Sequence, residues 1–470
     1  MRGKPASDPA ESTLEEARRL LAVRDYAHAE QLLRQVLAAR PQHGEALHLL
    51  GVVAYFAHQY EEAIALYDRA LLTLRKAPGL HNNLGLALQA VGKYTQAVKA
   101  FRRSVAASPA NASYHLNLGE ALKSAGDIDA AFVSFSRALA LEPGLADAHF
   151  ARALCLLGLG RIDEAWRDHE WRSEYDAGRL AQATPAATAL QTQRPGKLGP
   201  LDLDGKHILV LGEQGLGDEL FFLRYAPAIA AQGAHIAYRG SAQLTPLLAG
   251  AQWLDEVIPE GSTTPAHDCV FRVGDLPLVA ATLAAVPAPL PLRVPADAAR
   301  TARERLAASG SGPYLGITWR AGNEPMAGRP RALQKNVPVD LLGACIAGWP
   351  GTVINLQRTP HAGDVALFER ASGARTADFS DCNGDLALML AVLEGVDEYA
   401  GVSNTNVHLR AGLAKTTRVL VPFPPEWRWP AGFERSPWFP DCVLYREDGR
   451  QGWPSALAAL RGDLPGIEAE

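Results

Sequence analysis

The chain has 470 residues, 48% of them hydrophobic and 21% charged, with a formal net charge of −5 and a pI near 6.2. That length is too great for one core and predicts two or three domains, while the acidic balance gives no support for a nucleic-acid surface. Five scattered cysteines (Cys155, Cys269, Cys345, Cys382, Cys442) predict free thiols rather than a disulfide framework or a structural zinc site. The N-terminal stretch lacks the apolar core of a secretory signal and no segment approaches the ~18 apolar residues of a membrane span, so a soluble, cytoplasmic protein is expected.

The first third is periodic. Ala29, Ala63, Ala97, Ala131 and Ala165 recur at a step of 34 residues, and Gly51, Gly85 and Gly119 keep the same phase. Tyr67, Phe101 and Phe135 are also in phase, and Pro41, Pro109 and Pro143 close their units. The expected unit is a pair of helices. Small residues such as Gly85 and Ala97 let the two helices approach, Leu84, Leu88 and Phe101 fill the groove, and the proline stops the second helix. This pattern resembles the tetratricopeptide repeat, a helical superhelix whose concave face binds partners.

Asn83 and Asn117 occupy equivalent places on the first helices of units three and four, with Leu49 and Ala151 in units two and five. Similar asparagines in O-linked N-acetylglucosamine transferases grip an extended peptide backbone, because an amide donates and accepts at once. The resemblance implies an acceptor-peptide role for both. As residues alone they read equally as solvated side chains.

Residues 178–200 lack periodicity and are rich in Ala, Gln, Thr, Pro and Gly, which reads as a linker or an irregular brace. Trp166, Trp171 and Tyr175 before it supply aromatic packing surface. From residue 206 onward, short apolar runs alternate with alanine-rich helical stretches. The runs are 207–212, 235–238, 268–273, 314–319, 352–357, 397–402 and 417–422. Such alternation predicts parallel sheets covered by helices, in two units divided near Pro295–Pro313, with a closing helix near the end.

The turn after the first strand reads Gly212-Glu-Gln-Gly-Leu-Gly217-Asp218. Its glycines permit a tight strand-to-helix turn and close approach of a ligand to free helix N–H groups. The order is neither the dinucleotide fingerprint nor a P-loop. The run from Gly215 to Pro227 resembles the opening turn of heptosyltransferase-like glycosyltransferases of the two-domain GT-B fold, especially bacterial relatives carrying tetratricopeptide repeats. That resemblance implies that Asp218 is the base taking a proton from the acceptor hydroxyl. The residue alone also reads as an acid stabilising a helix dipole.

Three further segments carry the resemblance. Ile317–Asn323, with a turn at Gly322, is similar to the strand opening the donor-binding half. Arg331–Pro338 is similar to a basic segment whose lysine, here Lys335, neutralises the donor diphosphate. A solvated basic loop is the alternative. In Ala400–Gly412 the family places Asp-Thr and then a histidine at a helix start to hold pyrophosphate. Here His408 is retained, Ser403 and Asn404 replace the usual pair, and Thr405 is positioned to supply the hydroxyl. Downstream, Trp427, Arg428, Trp429 and Trp438 fit the family's C-terminal segments and read as cleft wall or packing.

The resulting expectation is an α plus α/β multidomain chain. A tetratricopeptide-repeat α-solenoid spans 10–177, a linker 178–200, an acceptor-side Rossmann-like lobe 201–297 and a nucleotide-sugar lobe 298–460. The resemblance implies a metal-independent, inverting glycosyltransferase without a cofactor. Its donor would be a nucleotide sugar and its acceptor a Ser or Thr of a protein bound by the repeats. Asp218 would be catalytic, with Gly217, Lys335, Ser403, Asn404, Thr405 and His408 on the donor. The competing expectations are a repeat adaptor or chaperone with a degenerate transferase domain, or a saccharide-directed transferase.

Overall fold

The computed structural model describes residues 9–172, 201–259, 262–280, 286–321, 335–433 and 435–467. The expected linker at 178–200, Tyr175, Gly322 and Arg331 lie outside the described residues. The chain forms two compact units, divided in sequence between Cys155 and Leu156.

The first unit is a run of helices: α1 (Pro9–Ala22), α2 (Tyr26–Ala39), α3 (Gly44–Phe56), α4 (Tyr60–Leu71), α5 (Pro78–Ala90), α6 (Tyr94–Ala107), α7 (Ala112–Ser124) and α8 (Ile128–Leu141). The helix α9 (Ala146–Gly158) carries the division. The in-phase glycines have a steric cause. A Cβ on Gly51 would stand 2.5 Å from the Tyr67 ring, one on Gly85 2.6 Å from Phe101, and one on Gly119 2.5 Å from Phe135. The glycine of the first helix is thus the seat of the aromatic from the second, and these rings and the in-phase alanines are buried.

Two further features keep the 34-residue step. The turn between the helices of a unit passes through a left-handed residue at Arg24, His58, Gly92, Gly126 and Gly160. His81, His115 and His149 each bond through Nε2 to a carbonyl six residues earlier, at Arg75, Pro109 and Pro143, over 2.9 to 3.0 Å. Each histidine ties its helix to the preceding connection.

The second unit includes α10 (Ile162–His169). The Trp166 ring lies 5.9 Å from Trp438 and 6.1 Å from Phe222. Arg172, fully buried, bonds Glu213 at 2.7 Å and Asp275 at 2.8 Å.

Two parallel sheets follow. The four-stranded sheet is built from β1 (His207–Leu211), β2 (His235–Arg239), β3 (Glu256–Val257) and β4 (Cys269–Arg272), in the order β3-β2-β1-β4. The six-stranded sheet contains β5 (Tyr314–Thr318), β8 (Thr352–Asn355), β9 (Thr376–Asp378), β10 (Glu398–Val402), β11 (Thr417–Val421) and β12 (Cys442–Arg446). Its order is β12-β11-β10-β5-β8-β9. Ile208, Leu209 and Val210 of β1 are all buried, as a strand covered on both faces requires. The antiparallel pair β6 (Arg320–Ala321) and β7 (Lys335–Asn336) sets Ala321 opposite Lys335. The seven apolar runs of the sequence are seven of the strands, and the closing helix is Pro454–Asp463. The short β3, β6, β7 and β9, and the half-exposed β12, had no comparable sequence signal.

Candidate functional site

Strand order places the site. β1 lies between β2 and β4, and β5 between β10 and β8, so the strand order switches sides at the C-terminal ends of β1 and β5, where open parallel sheets bind ligands. β1 ends in the glycine-rich turn leading into the helix Leu216–Leu223. The turn's left-handed residue is Gln214 (φ 66), not a glycine. Gly212 is sterically required, because a Cβ would meet Gly240 Cα at 2.6 Å, whereas Gly215 has room around it. Gly217 is confined by the His408 ring, 3.2 Å from where its Cβ would stand.

Asp218, in the first turn of that helix, accepts from the Arg428 guanidinium. Arg428 is buried, lies 3.9 Å from Glu426, and stacks over Trp427 at 4.2 Å. Glu426 is the hub of the cluster. It pairs with Lys335 Nζ at 2.6 Å, and accepts from the Ser403 hydroxyl and from Trp429 Nε1 at 2.8 Å. Although burial opposes ionisation, Lys335 and Arg428 pull its carboxyl down to about 2, so it is a carboxylate at neutral pH.

His408 lies on the helix Thr405–Gly412 and is buried. Burial above all, then the positive charges of Arg428, Arg224 and Lys335, hold its imidazole well below the usual histidine range. Among the described residues its Nδ1 has no hydrogen-bond partner. Arg224, also buried, donates to the carbonyls of Phe221 at 2.9 Å and Trp438 at 2.7 Å, and burial lowers it to about 9. It remains a cation, and among the described residues it pairs with no carboxylate. Three cations, Arg224, Arg428 and Lys335, therefore face two carboxylates, Asp218 and Glu426. The excess is positive, which suits an anionic ligand.

The fold thus draws Gly217, Asp218, Lys335, Ser403 and His408 into one cluster around Arg428 and Glu426. Asn404 has a different position. Its side chain caps the helix by accepting from Asn406 N at 3.0 Å, and its amide donates to Thr318 Oγ1 at 3.0 Å. Thr405, half-buried, is the first residue of that helix. Glu426 was missed by sequence reasoning. The available signal was a carboxylate inside the apolar run Pro-Pro-Glu-Trp-Arg-Trp, which must find a cation if buried.

In the first unit, Asn83 Nδ2 lies 3.0 Å from His48 Nε2, and Asn117 Nδ2 donates to Asn82 Oδ1 at 2.8 Å. Each asparagine reaches back to the preceding repeat, which fixes its amide plane and leaves part of its hydrogen-bonding capacity open. Among the described residues no helix is long and apolar enough to cross a membrane, and no group of three His, Cys, Asp or Glu is placed to hold a metal ion.

Two tetratricopeptide-repeat family models match this chain, over residues 20–82 and 82–145. The N-terminal unit is a tetratricopeptide-repeat array. Solved structures similar to the chain include one of MamA that is 27% identical over 37% of this chain and 98% of that one, with a TM-score of 0.33. A further MamA structure is 21% identical over 38% and 98%, with a TM-score of 0.33. YrrB, described as a TPR protein with an unusual peptide-binding site, is 20% identical over 35% and 91%, with a TM-score of 0.32. Comparison with curated proteins gave no match.

Proposed function

We propose that the second unit transfers a sugar from a nucleotide-activated donor to a hydroxyl, and that the acceptor is a Ser or Thr of a protein bound by the tetratricopeptide repeats. The observation that carries this reading is the meeting of Asp218, from the glycine turn of one parallel sheet, with Arg428 and His408, from the other. A carboxylate and a buried cationic cluster stand together beyond the C-terminal ends of β1 and β11, which supports this reading. In the proposed step the acceptor oxygen bonds to the anomeric carbon and its proton passes to Asp218. The bond from that carbon to the diphosphate breaks, and the departing nucleoside diphosphate is stabilised by Lys335, Arg428 and Arg224. The reaction is proposed as inverting and metal-independent. Ser403 and Thr405 would donate to the diphosphate and His408 would help to hold it, with Asn404 fixing their helix start. Asn83 and Asn117 would bind the acceptor backbone.

A second reading, a repeat adaptor whose transferase unit is a scaffold, is favoured by one observation. Lys335 and Ser403 are already engaged by Glu426, and Asp218 by Arg428. Thermal shift against uridine, guanosine, cytidine and adenosine nucleotides and their sugars separates the two. A ligand at 100-fold its Kd stabilises by roughly 2.7 kcal/mol. A selective shift lost in Lys335→Ala and His408→Ala supports the transferase, and silence across the panel supports the adaptor.

A further inference from the structure

The repeat array departs from its own template at the close of the second unit. Pro41, Pro109 and Pro143 mark the same closing position of units one, three and four, but there the second unit carries Arg75, followed by Lys76. The departure lies in a wider charge reversal. From residue 69 to 119 the sequence has no Asp or Glu, yet includes Arg69, Arg75, Lys76, Lys93, Lys99, Arg102 and Arg103 in a chain of net charge −5.

The fold gathers part of that charge. Arg75 and Lys76, from the α4–α5 connection, and Arg103, from the end of α6, line one groove of about 650 Å³ with Leu71, Ala106 and Ala107. The three basic residues are exposed, and among the described residues none of them forms an ion pair. The connection is held in place by a histidine. His81, buried and also lining the groove, bonds the Arg75 carbonyl at 2.9 Å, and its Nδ1 has no partner among the described residues. Leu72, 62% exposed, adds an apolar residue next to Leu71 in sequence.

We propose that this groove binds a short acidic peptide segment. Its carboxylates pair with Arg75, Lys76 and Arg103, and an apolar side chain between them packs on Leu71, Ala106 and Ala107. The apolar lining, which includes no Phe, Tyr or Trp on which bases could stack, favours a peptide over a nucleic acid. This inference is independent of the transferase reading, since it involves the repeat unit alone.

The test uses the full chain and a fluorescein-labelled Gly-Glu-Asp-Leu-Glu-Asp-Gly peptide, followed by anisotropy at low and high salt. Saturable binding is expected, weakened by salt and by about tenfold or more in the doubly substituted Arg75→Glu, Arg103→Glu chain. Arg137→Glu, an exposed arginine at the place in unit four that Arg103 holds in unit three, should change it less than about twofold. Far-UV circular dichroism establishes that both variants keep their helices. Absence of binding, equal loss in Arg137→Glu, or tighter competition by a single-stranded oligonucleotide would each overturn the proposal.

Discussion

Arg428 donates to Asp218 across 210 residues of sequence, joining the segment after β11 of the six-stranded sheet to the helix after β1 of the four-stranded sheet. The pair is asymmetric. The Arg428 side chain is 8% exposed and that of Asp218 30%, so water screens only one partner.

Removing the arginine leaves Asp218 without its cation and takes from Glu426 the more distant of its two, Lys335 remaining at 2.6 Å. Arg428→Ala should therefore destabilise the second unit by about 2–4 kcal/mol, at or just below the cost of breaking a fully buried pair. The measurement is urea unfolding followed by tryptophan fluorescence. All nine tryptophans lie beyond residue 165, so that signal reports the second unit alone. An unchanged midpoint would mean that the pair contributes no stability.

Glu426 makes the same unit acid-sensitive. Its carboxyl titrates near 2 when folded, against an ordinary value of 4.5. A depressed carboxyl contributes stability that is fully present above the unfolded value and lost as pH falls from about 4.5 towards 2, roughly 3 kcal/mol in all. Glu426→Gln should be less stable than the parent at pH 6, and the gap should narrow towards pH 3. A gap that does not vary with pH would count against the charge pairing.

Gly85→Ala places a methyl group 2.6 Å from a Phe101 ring that has nowhere to move. The expected loss is about 1–3 kcal/mol, with partial recovery when Phe101→Leu is added. Gly144→Ala meets nothing within 4 Å and should lie within ~0.5 kcal/mol of the parent. Far-UV circular dichroism is the readout, since the repeats contribute most of the helix.

The repeat also prescribes a gain. Arg24 sits at φ 62, where three later units use glycine. Arg24→Gly should stabilise the array by about 0.5–1 kcal/mol, because a left-handed conformation costs a side chain more than the extra chain entropy costs glycine. A lower melting temperature would show that the Arg24 side chain makes a compensating contact.

Burial raises Cys155 and Cys442 to about 12, and Cys345 and Cys382 to about 11. Cys269, also raised but only partly covered, is the accessible thiol. Ellman's reagent should modify about one thiol per folded chain, and Cys269→Ser should abolish that fast phase. Two or more fast thiols would contradict the packing around the other four.

The repeats were legible because their contacts are local. Gly85 meets Phe101, and His81 meets Arg75, within about one repeat length, so a 34-residue period in sequence is a contact list in space. The strands were legible too, because a parallel strand covered on both faces must be an unbroken apolar run, as Ile208, Leu209 and Val210 are. Asp218, Lys335, Ser403 and His408 were singled out by the resemblance of their segments to a glycosyltransferase family. Their connections were not. That Lys335 and Ser403 share Glu426, that Arg428 holds Asp218, and that the His408 ring rests on Gly217 depend on bringing together segments that no local periodicity relates. Only the parallel order of the two sheets decided those pairings. Once it buried Glu426, the carboxylate had to take every cation and donor within reach, because an ion removed from water is stable only when its charge is met.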